Sequence, residues 1–254
     1  MMTQPPFFTK LKNRGLVKIS GIERRDFLQG LITNDIGLLD QENYIYACLL
    51  TPQGKFLFDF FIREEEESLL LDCEGGERAQ ELAKILNMYK LRAQAEITAT
   101  EQTDAYAIIG TTEGYKDPRH PDIGYRSYSK PSDVDELPFD DWDYLRISLT
   151  IPDGSRDLIS GKSTMDEARM DKFHGLSYEK GCYVGQELTA RMHYRGLGKK
   201  HLRTIKACDI GSSEFPEHGA SIERDDKVIG EMRSSCRDIG IALLKDSSSK
   251  TEEN

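Results

Sequence analysis

The chain has 254 residues, 38% of them hydrophobic and 31% charged, with a formal charge of −10 at pH 7. That composition supports a packed core and excludes wholesale disorder, and no apolar run approaches the roughly 20 residues that a membrane helix needs. The acidic balance argues against unassisted nucleic-acid binding, which needs a basic footprint. The first twelve residues hold neither an apolar segment of secretory length nor an arginine- and serine-rich presequence, so a cytoplasmic location is expected.

In chain order, Leu16 to Ser20 alternates apolar and polar residues and is predicted as a strand, broken by Gly21. Phe27, Leu28, Leu31 and Ile32 recur at helical spacing, which predicts an amphipathic helix over 23–33. Two strands, 44–51 and 55–63, flank the turn residues Pro52-Gln53-Gly54, and a third covers 68–73. Ala79, Leu82, Ala83 and Leu86 mark one face of a helix over 77–89. Strands are predicted at 93–100, 104–110 and 124–130, with polar connections at 111–121 and 131–143 and a short helix over 142–150. After Gly198 the pattern becomes short strands (201–208, 220–224, 227–234, 239–244) between Gly- and Asp-rich turns, which suggests a small barrel or sandwich. The polar tail 247–254 is expected to be disordered.

The five cysteines are widely spaced and odd in number, which argues against a disulfide framework. No Cys-x-x-Cys pair suggests zinc, and the four suitably spaced cysteines of a resident iron–sulfur cluster are missing, so no protein-held metal is expected. From Arg191 to Arg203 the chain carries Arg191, Arg195, Lys199, Lys200 and Arg203, with His193 and His201 and no acid. In an acidic protein that segment points either to an anionic ligand or partner or to a solvated strand edge.

The most distinctive segment is Lys180-Gly181-Cys182-Tyr183-Val184-Gly185-Gln186-Glu187. Flanking glycines permit positive φ angles and close backbone approach. A cation beside a thiol favours the thiolate, although a small buried cysteine is the alternative. This octapeptide resembles the signature of the YgfZ family, folate-binding proteins of iron–sulfur cluster maturation related to the T-protein aminomethyltransferases of glycine cleavage. The resemblance continues through Phe27 to Ile36, Leu50 to Lys55, Tyr89 to Arg92, Asp117-Pro118-Arg119 with Gly124-Tyr125-Arg126, Ile151 to Asp157 and Asp166 to Asp171, in the family's order.

The resemblance implies an α+β ring around a tetrahydrofolate channel. Two ferredoxin-like modules are expected, one (44–111) inserted into the other (1–43 and 112–198), followed by a C-terminal β-barrel over 199–246. It implies Glu167 as the carboxylate that grips the pterin, a charge-assisted planar pair, with Asp171 in support and Lys180, Gln186 and Arg191 as further cofactor contacts. Cys182 is the expected working thiol. The paired acids of the aminomethyltransferases read Phe58-Asp59 here, which weakens one-carbon transfer as the activity. The favoured reading is a tetrahydrofolate-dependent factor for maturing or repairing 4Fe–4S proteins, tRNA-modifying radical enzymes among them. Its expected partners are assembly proteins and client enzymes, with no direct nucleic-acid or membrane contact, and the chain is expected to be a monomer. An aminomethyltransferase-like enzyme is the alternative, and a passive scaffold is a third reading.

Overall fold

The computed structural model describes residues 5–224 and 227–246. The expected disordered tail, 247–254, lies outside them. Strand β1 (Phe7–Lys10) leads through a tight turn into β2 (Arg14–Ser20) and a short helix α1 (Arg24–Gln29). After α2 (Leu39–Glu42) come β3 (Ile45–Leu50), β4 (Phe56–Glu65) and β5 (Ser68–Glu74), then helix α3 (Glu77–Lys90) and β6 (Glu96–Thr100). These strands form one antiparallel sheet in the order β3-β4-β5-β2-β6. Its core joins Val17, Ile19 and Leu71 to Leu82 and Leu86 of α3, the apolar face that the helical spacing predicted.

A second sheet takes β1 together with β7 (Tyr106–Ile109), β8 (Tyr115–Lys116), β9 (Tyr125–Ser127) and β10 (Asp135–Glu136), in the order β10-β1-β7-β9-β8. Helix α4 (Phe139–Ser148) follows, with Trp142 buried beside Ala105 and Ala107. Helix α5 (Gln186–Arg195) leads into the third sheet, β11 (Lys200–Lys206), β12 (Ser221–Arg224), β13 (Lys227–Cys236) and β14 (Ile239–Lys245), ordered β11-β14-β13-β12. The short C-terminal strands lie where the alternation placed them.

The sheets divide the chain differently from the expected boundaries. A division at 43/44 separates β2 from its partners β5 and β6, with which it pairs from Leu16 to Ser20. The segment inserted between β1 and β7 therefore starts near Asn13, whose positive φ of 52° makes the turn, rather than at residue 44. The helix predicted over 23–33 is also shorter: α1 stops at Gln29, and Ile32 bridges Leu49 of the sheet edge instead. Leu28, Leu31 and Ile32 are buried in either conformation, so their spacing could not reveal the break at Gly30.

Two buried ion networks join the parts. Asp72 of β5, fully buried, accepts from Arg14 Nε (2.7 Å), Arg126 Nη1 (2.9 Å) and the Tyr128 hydroxyl (3.0 Å), which couples the first two sheets. Arg146 of α4 donates to Asp143 (2.7 Å), Asp157 (2.6 Å) and Ser234 of β13 (2.8 Å), which ties α4 to the third sheet. Among the described residues no helix is long and apolar enough to cross a membrane.

Candidate functional site

The cysteine loop is held from below by backbone. Ser177 N–H donates to the Thr33 carbonyl, and the Ser177 hydroxyl accepts from the N–H groups of Glu179 and Lys180, which closes the turn. Val184 N–H donates to the Gly30 carbonyl (3.2 Å). Gly185 has φ +86°, and a Cβ there would lie 2.6 Å from the Thr51 carbonyl oxygen, so glycine is required where the loop crosses the β3–β4 turn. Gly54 of that turn, φ +70°, faces the Gly185 carbonyl in the same way. Gly181 is not in a left-handed conformation and has open space around it. Between these anchors Tyr183 is buried and Cys182 is exposed. The alternative of a packed, inert Cys182 does not hold for this loop. Cys48, Cys73 and Cys236 are the inert ones, with burial pushing all three thiols up, Cys73 to about 12.

Lys180 does something other than what its place in the sequence suggests. Its ammonium donates to the carbonyls of Gln29 (2.8 Å), Ile32 (2.7 Å) and Asn34 (2.7 Å). Burial pulls it down to about 8, and nearby Asp35 pushes the other way. All three N–H donors are engaged, which leaves none for a cofactor. Lys180 is thus a staple between the cysteine loop and the Phe27–Ile36 segment, not the ligand contact expected of it.

The other expected contacts are scattered. Glu167 closes a turn: its Oε2 accepts from Thr164 N–H (2.8 Å), and its own N–H donates to the Thr164 hydroxyl (3.2 Å). Only Oε1 is left without a protein partner among the described residues. Asp171 is exposed. Gln186 is the half-buried first residue of α5, and Arg191 lies exposed on the same helix. Sequence reading missed α5 itself. Its signals were the paired glycines Gly185 and Gly196, both left-handed, at its two ends. The cationic run is partly neutralised by acids distant in sequence: Asp246 accepts from Arg203 (2.6 Å) and lies 2.8 Å from His201 Nδ1.

A double cleft opens beside the loop, with lobes of about 400 and 340 Å³ that share Glu42, Pro118 and His174. Tyr44 lines one lobe; Asn34, Tyr46, Tyr178 and Glu179 line the other. Asn34 holds its shape by donating to the carbonyls of Tyr46 (2.9 Å) and His174 (2.8 Å). None of the six residues singled out from sequence lines it. Two of the motif blocks do meet there, through Asn34 and Pro118, beside the 174–179 turn that lies between two others, and composition gave no sign of the tyrosines.

Below the cleft, the Tyr46 hydroxyl donates to Asp59 Oδ2 (2.8 Å). Burial pushes the Asp59 carboxyl above its ordinary value, against the pull of the Tyr46 hydrogen bond and Arg14. Strand alternation sends the neighbouring Phe58 to the opposite face, into the core with the Arg78 guanidinium 3.8 Å from its ring. Among the described residues no group of three His, Cys, Asp or Glu side chains is arranged to hold a metal ion.

The profile of the family described as "CAF17, C-terminal beta-barrel domain" matches residues 199–252. Curated relatives named iron–sulfur cluster assembly factor IBA57, mitochondrial, or its homologue, align along most of the chain. The Neurospora crassa protein is 32% identical over 83% of this chain and 56% of its own length. The mouse protein is 28% identical over 93% and 76%, and the human protein 26% over 92% and 76%. The chain thus spans little more than half the length of the Neurospora crassa protein and of two further fungal relatives that it matches. Among solved structures, aminomethyltransferase T of the glycine cleavage system from Bartonella henselae superposes with a TM-score of 0.72 over 95% of this chain and 78% of its own, at 15% identity. The fold is therefore α+β and aminomethyltransferase-like, with a C-terminal β-barrel domain.

Proposed function

We propose that this protein is a tetrahydrofolate-binding factor in the assembly or repair of 4Fe–4S proteins, in which Cys182 is a transient thiol ligand or exchange partner. The observation that carries the thiol role is the exposure of Cys182 on a loop fixed by the Lys180 staple, the Gly30–Val184 hydrogen bond and the Gly54–Gly185 contact. A mobile cysteine would lose orientation entropy with each partner, and a fixed one presents its sulfur at a constant angle. One thiolate can occupy one coordination position of an iron–sulfur cargo and leave the others to a partner, which suits handing on rather than storage. The assembly role named for the relatives supports the same reading, and radical enzymes that modify tRNA are among the clients we propose.

The double cleft fits a flat heteroaromatic ligand. Tyr178 offers a partly exposed ring, Tyr44 and Tyr46 close the walls as buried rings, and the Glu42 and Glu179 carboxylates can accept paired N–H donors. Bound there, tetrahydrofolate would supply a reduced pterin close to the cysteine loop. The protein's own residues bind and orient it, while Asn34 and Lys180 keep the cleft wall and the loop in register. Glu167, with one oxygen committed to its turn, contributes at most through Oε1. Anaerobic calorimetry with tetrahydrofolate tests this: saturable binding that Tyr178→Ala and Glu179→Ala weaken is expected. Absence of binding to the unaltered protein would remove folate from the reading.

One observation favours the aminomethyltransferase-like alternative. Asp59, protonated more readily than an ordinary carboxyl, connects through the Tyr46 hydroxyl to the cleft. Formation of methylene-tetrahydrofolate by purified protein, abolished by Asp59→Asn, would establish that activity. We favour the assembly reading because Phe58 is sealed in the core and can take no part in proton transfer.

A further inference from the structure

We propose that a second cleft, on the side of the molecule where β11 meets α4 and the 168–173 turn, binds a small polyanion: phosphate groups or clustered carboxylates carried on an apolar body. This site goes beyond the folate and thiol reading and does not depend on it. The cleft measures about 470 Å³, within the range of small-molecule sites. Its floor is apolar, with Leu149, Ala168, Phe173 and Leu202, the last three buried. Its rim carries Arg169, Lys172, Arg203 and His120, and among the described residues no acidic side chain lines it.

Two of these side chains, Arg169 and Lys172, are not used by the fold. The side chains of Arg169 and Lys172 make no hydrogen bond or ion pair among the described residues, although the protein as a whole is acidic. Arg203 is partly neutralised by Asp246 (2.6 Å). His120 accepts the Asp122 N–H at Nδ1 (3.1 Å), so its neutral ring carries the proton on Nε2 and has a donor to offer. The hydroxyls of Thr150 and Thr204 lie 2.7 Å apart within the same wall. Two cleft residues that are not glycine adopt left-handed backbone, Thr150 (φ 59°) and Arg169 (φ 50°). Such conformations are costly for residues with a Cβ and are retained where surrounding structure or function demands them. An apolar floor under two uncommitted cations, with Arg203 and the His120 donor beside them, suits a ligand with an apolar body and more than one anionic oxygen, because arginine binds phosphate and carboxylate in the same forked manner.

Calorimetric titration with ATP and, separately, with trimesate tests the site and distinguishes its two sources of anion. The expected result is saturable binding of at least one of them, one site per chain. Affinity should fall about tenfold or more in the double variant Arg169→Gly/Lys172→Ala, through loss of charge-assisted hydrogen bonds. Glycine suits the φ at 169, and the exposed Lys172→Glu change alone gives a second variant that keeps the fold. The control Arg191→Ala/Arg195→Ala removes equal charge from α5 and should leave binding unchanged. Binding of ATP alone identifies a phosphate site, and of trimesate alone a carboxylate site. Failure of both to saturate the unaltered protein, or equal weakening in the control, would overturn the proposal.

Discussion

Lys180 shows how far a residue's role can depart from its neighbours in sequence. Beside Cys182 it reads as an activating cation, yet its ammonium is held by three carbonyls of another segment. Backbone acceptors are invisible to sequence reading, so this role could not have been read. Lys180→Met should lower stability by about 1–3 kcal/mol for each acceptor left dry and unpaired, and should impair function although the thiol is untouched. Chemical denaturation with a parallel maturation assay would show both effects. Asp117 makes a different prediction. Burial pushes its carboxyl up, but Arg119 and Arg126 outweigh that and hold it below the ordinary value. A depressed folded value adds stability that is present above the unfolded pKa, about 3.9, and is lost as pH falls through the folded one. Asp117→Asn should therefore reduce stability at pH 7 by roughly 3–5 kcal/mol, the cost of breaking a buried pair. The variant should also show a shallower loss of stability on acidification, measured by denaturation midpoints from about pH 5 down to about pH 2.

At the scale of elements, α3 was legible because it buries one face at helical spacing, and the β3–β4 hairpin and the four C-terminal strands because turn residues bound their apolar runs, although β3 itself is buried along its whole length. Strand β1 and helix α5 were not. The first is four residues, too short to show a period. The second is mostly polar, with Thr189 its one buried residue, and its ends are set by glycine geometry rather than by an apolar stripe. The same glycine geometry allows a test. Gly185→Ala meets both a left-handed φ and a backbone oxygen 2.6 Å from the new Cβ. It should cost about 1–3 kcal/mol and displace the loop from the β3–β4 turn. Thermal unfolding together with the alkylation rate of Cys182 would record the two effects, and an unchanged rate would mean that the glycine contact does not position the thiol.

For the whole molecule, the order of the motif blocks implied an aminomethyltransferase-like plan, and the superposition at 15% identity bears out that fold. The division into modules was not legible, because it depends on which strand pairs with β2, a long-range choice that no local pattern encodes. What joins the modules is also long-range: Arg14, Asp72 and Arg126 at one junction, Arg146, Asp157 and Ser234 at the other. Arg146→Ala should destabilise by about 3–5 kcal/mol, because it leaves Asp157 buried without its cation, while Asp143 keeps Arg156 (2.7 Å). Loosening of the C-terminal strands should accompany it, read by amide exchange in β13. Among the described residues two cysteines are exposed, Cys182 and Cys208, and Cys182 is the one on the fixed loop of the family-like octapeptide. The most direct test of its role is the activity of 4Fe–4S enzymes in cells lacking their own copy and supplied with Cys182→Ser at matched protein level. The account predicts activities no higher than in cells with no copy; activities equal to those with the unaltered protein would contradict it.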